Sequence, residues 1–405
     1  MLTTLWNKDY KIKLNANIKR VLLREKLEKQ FNKKLNEIKN KKIINIVFYV
    51  SEKAKWSTQS LFEELKKDKR FSVKIAVQNP YNEEIKFFQN LDAEVVPVYQ
   101  TNGELLDILT LSPDIVFYQQ PWEICEINKI ERISEKALTA YVPYGYMAIK
   151  SDGAHYFLPF HFHLWRYFCE NDKQKKLFIK KNKLLKNILY NSGYPKIDVY
   201  FDYKPQNTSR KTIIWAPHWS FGDNFVRFGT FDKNCEFFYE LAKNNPNINW
   251  IYKPHPGLIC WIEKTKFMTK IEYQKYLEKW YTLPNAKIVT DGNYFDTFFE
   301  SDALVTDSIS FLFEYLPTKK PIIYIDSKRG CDFNETTKPI VKSYYKVTTN
   351  EEIENIIKKV VKDGNDYKYK ERMKHLKNFI DNKTPAGKNI AKYLRNILEI
   401  GDSND

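Results

Sequence analysis

The sequence predicts an α/β chain of two Rossmann-like, doubly wound domains, on three observations. At 405 residues it exceeds what a single hydrophobic core organises. Short β-rich apolar runs alternate with longer helical patterns, the signature of parallel βαβ units. That alternation lapses near 199–210, where DYKPQNTSR carries Pro205 and no periodicity, as a domain linker does. With 43% apolar and 16% aromatic residues, the chain has ample material for two cores.

The first element is a basic amphipathic helix within residues 1–42. Residues 8–42 hold thirteen Lys/Arg against four Asp/Glu, a net charge of +9. Leu14, Ile18, Val21, Leu22, Leu27, Phe31, Leu35 and Ile38 recur at three- and four-residue spacing and form an apolar stripe. Such a stripe has two uses: to lie on an anionic membrane surface, or to dock on the protein's own core.

An N-terminal Rossmann-like domain follows at 43–204, with strands expected at 43–50, 73–77, 95–99, 115–119, 138–142 and 188–191 and a helix at 58–67 between the first two. The second domain, 205–400, restarts the pattern with strands at 212–215, 249–252, 286–289, 303–305 and 321–325. Residues 351–398 read as two or three Lys-rich helices, and 401–405 as a frayed tail. In open parallel sheets ligands sit at the carboxyl ends of strands, so two such domains would face a cleft there.

Composition excludes several classes. The five cysteines are odd in number and widely spaced with no C-x-x-C pair, which disfavours a disulfide framework or zinc knuckle and fits a reducing cytoplasm. No run approaches the length of a spanning helix, and the N-terminus lacks a signal-peptide core. The net charge of +16 is compatible with nucleic acid, but its concentration in the first helix and the absence of an RNA motif argue against that partner. The loop 51–58 has no glycine and no Walker A sequence occurs, so dinucleotide redox chemistry and P-loop phosphate binding are disfavoured.

Three constellations remain at predicted strand ends. The strand 249–252 runs into Lys253-Pro254-His255-Pro256, where flanking prolines hold the backbone extended around an imidazole beside a lysine. The strand 212–215 runs into Ala216-Pro217-His218-Trp219-Ser220, so both histidines fall on one sheet edge. After the strand 303–305 come Thr306, Asp307, Ser308 and Ser310 and then a helical run, FLFEYL, containing Glu314. Hydroxyls and free N–H groups at a helix start suit a pyrophosphate. Two imidazoles with this helix start between them fit attack on a phosphoryl or anomeric centre, one taking the acceptor proton and the other offsetting charge on the leaving diphosphate. His161 and His163 alternate in PFHFHLW and would share a strand face, but no third ligand is in register for a metal.

At these residues the sequence resembles the CDP-glycerol glycerophosphotransferase family of teichoic acid and capsule polymer transferases. The marks, in family order, are Gly193-Tyr194-Pro195-Lys196-Ile197-Asp198, Ala216-Pro217, Lys253-Pro254-His255-Pro256, and Thr306-Asp307-Ser308 with Ser310. The resemblance implies a GT-B architecture and a metal-independent transfer without a cofactor. It implies a CDP-activated polyol donor, CMP as leaving group, and a polymer or lipid-linked acceptor at the inner face of the plasma membrane.

By the same resemblance, His255 and His218 act in transfer, while Lys253, Thr306, Asp307, Ser308, Ser310 and Glu314 hold the donor. The family's acceptor-side His-Gly motif is here Val142-Pro143-Tyr144-Gly145-Tyr146, placing Tyr144, Gly145 and Tyr146 on that side. The His218 segment also departs from the usual A-P-T followed by an aromatic and Arg, toward a capsule-type branch. The alternative reading is a GT-B glycosyltransferase that attacks a nucleotide sugar.

Overall fold

The computed structural model describes residues 2–400 except 80, 101, 205–209, 225 and 291–293; for residues 2–15 only the helix path is described, without side chains. The Leu14 side chain, the tail 401–405 and the centre of the expected linker lie outside the described residues. Contacts divide the chain into two compact units: Met1–Met147, Ser151–Asp198 and Asp381–Asp405 in one, Ala148–Lys150 and Val199–Ile380 in the other. The division therefore differs from the sequence boundaries 43–204 and 205–400. The last helix, Ala386–Ile397, buries Ile390, Ala391 and Leu394 in the first unit's core. An amphipathic stripe fits either core, so chain order alone cannot assign it.

The first unit is built on seven parallel strands: β1 (Ile44–Val50), β2 (Phe71–Val77), β3 (Glu94–Pro97), β4 (Ile115–Tyr118), β5 (Leu138–Tyr141), β6 (Arg166–Cys169) and β7 (Leu189–Asn191). Their order is β3-β2-β1-β4-β5-β6-β7. Alternation along β1 sends Ile44, Ile46, Phe48 and Val50 into one core and Val47 and Tyr49 into another, so both faces are covered as in a doubly wound sheet. In register, Phe48 stands beside Ile75 of β2 and Phe117 of β4.

The helix Leu2–Lys39 docks on this unit. Leu27, Phe31 and Ile38 are buried in the core around β1, with Leu23 and Leu35 packed against it. Arg24 donates to the carbonyls of Phe162 (2.9 Å) and Leu164 (2.7 Å). Of the two uses of the apolar stripe, the protein's own surface takes these positions. Ile18, Val21 and Leu22 stay 48%, 39% and 59% exposed.

The family-like turn 193–198 has a structural task in the same unit. Asp198 is buried and accepts from the N–H groups of Ala386 (2.7 Å) and Gly387 (2.8 Å) and from Ser60 Oγ (2.7 Å). It thereby caps the start of the last helix, whose free N–H groups and dipole favour a carboxylate. Burial pushes its carboxyl up to about 6, with the hydrogen bonds opposing. Gly387 is required by close approach, because a Cβ there would lie 2.5 Å from Leu61 N.

The second unit carries six parallel strands: β8 (Thr212–Ala216), β9 (Asn249–Tyr252), β10 (Ala286–Ile288), β11 (Ala303–Thr306), β12 (Ile322–Ile325) and β13 (Tyr345–Val347), in the order β10-β9-β8-β11-β12-β13. Its core stacks Trp215 on Phe238 (4.4 Å) and Tyr252 (4.8 Å). β6 and β13 are strands the sequence reading omits. They span four and three residues and are defined by pairing with β5 and β12 rather than by a period of their own. No helix among the described residues is long and apolar enough to cross a membrane.

Candidate active site

The parallel pairing of β8 and β9, with Trp215 opposite Tyr252, continues past the strand ends. Lys253 N–H donates to Trp215 O at 2.9 Å and His255 N–H to Pro217 O at 3.2 Å. The residues that follow are therefore held side by side, and the rings of His218 and His255 lie 5.1 Å apart. The convergence expected of these two histidines is present. The helix Ile309–Glu314 follows β11, however, which neighbours β8 on the side away from β9. Its start flanks the His218 strand and does not stand between the two rings, because strand order, not chain order, sets the neighbours.

Each ring is fixed through Nδ1. Ser220 N–H (3.3 Å) and Ser220 Oγ (2.7 Å) reach His218 Nδ1, and Gly257 N–H reaches His255 Nδ1 at 3.0 Å. Ser220 Oγ already accepts the N–H groups of Phe228 (3.0 Å) and Gly229 (3.3 Å), which turns its proton toward the imidazole. A backbone N–H can only donate, so both Nδ1 atoms are acceptors and each neutral ring carries its proton on Nε2. Burial, followed by the neighbouring His255, holds His218 well below the ordinary imidazole value and therefore neutral. Gly229 is demanded by the tight return of this loop: a Cβ would lie 2.6 Å from His218 O.

Asp307 anchors the same loop. Its buried carboxylate accepts from His218 N–H (2.5 Å), Thr230 N–H (2.6 Å) and Thr230 Oγ1 (2.7 Å). Burial raises it to about 7 against the opposing hydrogen bonds. Thr306 is also buried; its hydroxyl donates to Ala216 O at 2.6 Å and accepts Ser308 N–H at 2.9 Å. The side chains of Thr306 and Asp307 are thus engaged in joining β11 to the β8 loop, while Ser308 is buried and Ser310 half-buried at the helix start. Glu314 lies buried further along that helix and accepts the Tyr294 hydroxyl. Lys253, two residues before His255, is buried. Ser220 and Thr230 were not singled out by sequence. Ser220 carries a signal, two residues after a histidine at a strand end; nothing in the spacing marks Thr230.

The acceptor-side residues belong to the first unit. Tyr144 N–H donates to Gln119 O at 2.9 Å, and Tyr144 O accepts the Tyr194 hydroxyl (3.0 Å) and Lys196 Nζ (3.4 Å). Asn171 Nδ2 donates to the Tyr146 hydroxyl (2.7 Å), Gln174 Nε2 to Met147 O (2.9 Å), and Met147 N–H to Glu170 Oε1 (3.0 Å). Residues after β6 and β7 therefore hold the segment 144–147 from two sides. Glu170 is buried, and desolvation pushes its carboxyl up to about 7. Gly145 has open space where a Cβ would stand.

His161 and His163 do not share a strand face. Pro159 starts a short helix, Pro159–Phe162, since its fixed φ suits a first helical position, and His161 is buried among aromatic rings. His163 Nδ1 instead meets Ser134 Oγ at 3.0 Å. Among the described residues no three His, Cys, Asp or Glu side chains are grouped to hold a metal.

Two predictions follow from this geometry. Asp307→Ala removes three buried hydrogen bonds and lowers unfolding stability by about 2–4 kcal/mol, read by denaturant melts, and frees the His218 loop to hydrogen exchange. His161 is lowered by burial from 6.5 to about 3. A group depressed in this way contributes stability that is present above 6.5 and lost as pH falls toward the folded value. His161→Phe therefore retains about 2 kcal/mol that the wild type loses between pH 7 and 5; equal losses in the two proteins would refute the assignment.

The chain matches the family model of CDP-glycerol:poly(glycerophosphate) glycerophosphotransferase over residues 161–390. No curated protein matches its sequence. Among solved structures, it is similar to the wall teichoic acid polymerase TagF, known in two variants that each replace one histidine. In one of these the identity is 14% over 96% of this chain and 96% of that chain, with a TM-score of 0.57. It is also similar to S. aureus MnaA with UDP (12% identity, 90% of this chain, 99% of that chain, TM-score 0.59). UDP-GlcNAc 2-epimerase from Neisseria meningitidis bound to UDP-GlcNAc aligns at 11% identity (87% of this chain, 100% of that chain, TM-score 0.60). These likenesses establish the GT-B type of fold. Because the family model takes in more than half of its residues, the chain belongs to the CDP-glycerol:poly(glycerophosphate) glycerophosphotransferase family.

Proposed function

We propose that this transferase moves a polyol phosphate of the glycerol phosphate type from a CDP-activated donor to a hydroxyl of a cell-surface polymer, releasing CMP. The observation that carries the reading is the pair of imidazoles 5.1 Å apart at the carboxyl edge of a parallel sheet, in a chain of this family. The acceptor oxygen attacks the β-phosphorus, the bond from that phosphorus to the CMP oxygen breaks, and the acceptor proton is released as the diester forms. CMP leaves with the bonding pair.

Phosphoryl transfer through a loose transition state asks little of a base and much of groups that offset charge on the leaving phosphate. His218 and His255, each with its proton on Nε2, suit that task as hydrogen-bond donors. This revises the expectation that one of them removes the acceptor proton. Lys253 would neutralise phosphate, and Ser308, Ser310 and Glu314 would hold the donor. Thr306 and Asp307 would act through the loop they position. Tyr144, Gly145 and Tyr146 would meet the acceptor, and the transfer would run without a metal ion.

We place the enzyme at the inner face of the plasma membrane through the part of its first helix that the core leaves uncovered. Ile18, Val21 and Leu22 share one exposed face, with Lys19 and Lys26 also exposed nearby.

Nucleotide release from CDP-glycerol, CDP-ribitol and common nucleotide sugars, with lipid-linked acceptor, tests the chemistry. His255→Ala and His218→Ala each lower CMP release by about 100-fold or more without a change in melting temperature, and phosphorus NMR of the product shows a phosphodiester. Near-normal turnover of His255→Ala would remove that residue from the reaction, and turnover of a nucleotide sugar with a glycosidic product would replace the phosphotransferase reading. For the membrane patch, wild type cosediments with vesicles rich in phosphatidylglycerol and less with phosphatidylcholine, and Ile18→Asp with Leu22→Asp abolishes the difference. Unaltered sedimentation of the double variant would sink the patch.

A further inference from the structure

The first sheet reverses its strand order between β1 and β4, and the crevice outside the carboxyl ends of strands at such a reversal is where open parallel sheets take ligands. The segments there are 51–58 after β1 and 119–122 after β4. Gln119 is 2% exposed, and its Oε1 accepts Ser57 N–H (2.6 Å) and Ser57 Oγ (3.2 Å). Since Ser57 N–H can only donate, the carboxamide oxygen is fixed on that side and the amide nitrogen faces away from it. Among the described residues Gln119 Nε2 has no partner, and neither does the fully buried hydroxyl of Thr58, the next residue after Ser57. Thr58 precedes the helix Gln59–Lys66 yet makes no capping bond with its side chain. Buried donors left unmade are costly, and proteins seldom keep them unless a water or ligand completes them.

The charge of that ligand can be argued. A helix start favours an anion, but at this one the carboxylate of Asp198 already binds Ser60 Oγ at 2.7 Å. Ser51 Oγ donates to Gln120 Oε1 at 3.0 Å beside the Gln119–Ser57 pair, and Lys55 of the same segment is already held by Glu52 (3.0 Å) and Glu123 (2.5 Å). At the rim Trp122, 40% exposed, meets Tyr144 edge-on at 6.1 Å. The Trp122 carbonyl accepts Gln120 Nε2 at 2.7 Å, which ties it to the segment that carries Gln119. Amide and hydroxyl donors near an exposed aromatic ring fit the hydroxyls and C–H face of a polyol or sugar.

We propose that this crevice binds a neutral, hydroxyl-bearing unit, its C–H face on Trp122 and its hydroxyls on Gln119 Nε2 and Thr58 Oγ1. That the unit is the acceptor's terminal residue rests on the transferase reading; the polyol site itself does not.

Ligand-observed saturation-transfer NMR with ribitol as probe tests it, with CMP as a second probe in the same tube. Gln119→Glu keeps an oxygen for Ser57 and removes both N–H donors, and Trp122→Ala alters an exposed side chain. Wild type binds ribitol, each variant binds it about fivefold more weakly, and the CMP signal is unchanged in all three. Equal ribitol binding by wild type and variants, or none by wild type, overturns the proposal. Were Gln119→Glu to lose a cooperative melt, Trp122→Ala alone would decide. A protein that binds ribitol through these residues but ignores CMP and CDP-glycerol would keep the polyol site and abandon the transferase reading.

Discussion

The parallel pairing of β8 with β9, carried beyond the strand ends, is the constraint on which the histidine pair depends. Backbone bonds from Lys253 to Trp215 and from His255 to Pro217 lock two loops that would otherwise move independently. Prolines on both sides of His255 and before His218 keep these segments extended, so the ladder can continue where strands normally part. Burial then decides charge: His218, buried beside a second imidazole, is neutral, and the Ser220 N–H decides where its proton sits. A neutral ring with a fixed tautomer is a preorganised hydrogen-bond donor, needing no reorganisation when charge develops on a phosphate.

Three buried carboxyls serve as tie points for loops at strand ends. Asp307 holds the His218 loop, Asp198 the start of the last helix, and Glu170 the segment bearing Tyr146. Each is pushed upward by desolvation, to about 7, 6 and 7, while hydrogen bonds from distant backbone oppose the shift. Burying a carboxyl costs free energy that only good geometry offsets, which makes these residues poor general stabilisers and effective specifiers of loop position. Asp198 illustrates how a motif that identifies a family need not touch a substrate. Its carboxylate caps a helix whose sequence lies almost two hundred residues away.

Much of the fold was legible because β-rich runs and amphipathic helices carry local periodicity. β9 begins and ends where the alternation does, and β1, β8 and β11 differ by a residue from their expected bounds. β6 and β13 were illegible because three- and four-residue strands are defined by their neighbours. The PFHFHLW alternation misled for a related reason: Pro159 favours a helical turn whatever the side chains suggest.

By itself, the sequence determined the α/β class, the two sheets and the placing of His218, His255 and Asp307 at strand ends, since these depend on residues near one another in the chain. Only the tertiary structure decided which strands are neighbours, that Thr230 and Ser220 fix the site, that the last helix returns to the first unit, and that half of the apolar stripe on the first helix is consumed by the core. Those outcomes are set by pairing order and by competition for buried surface, and both are properties of contacts between segments far apart in sequence.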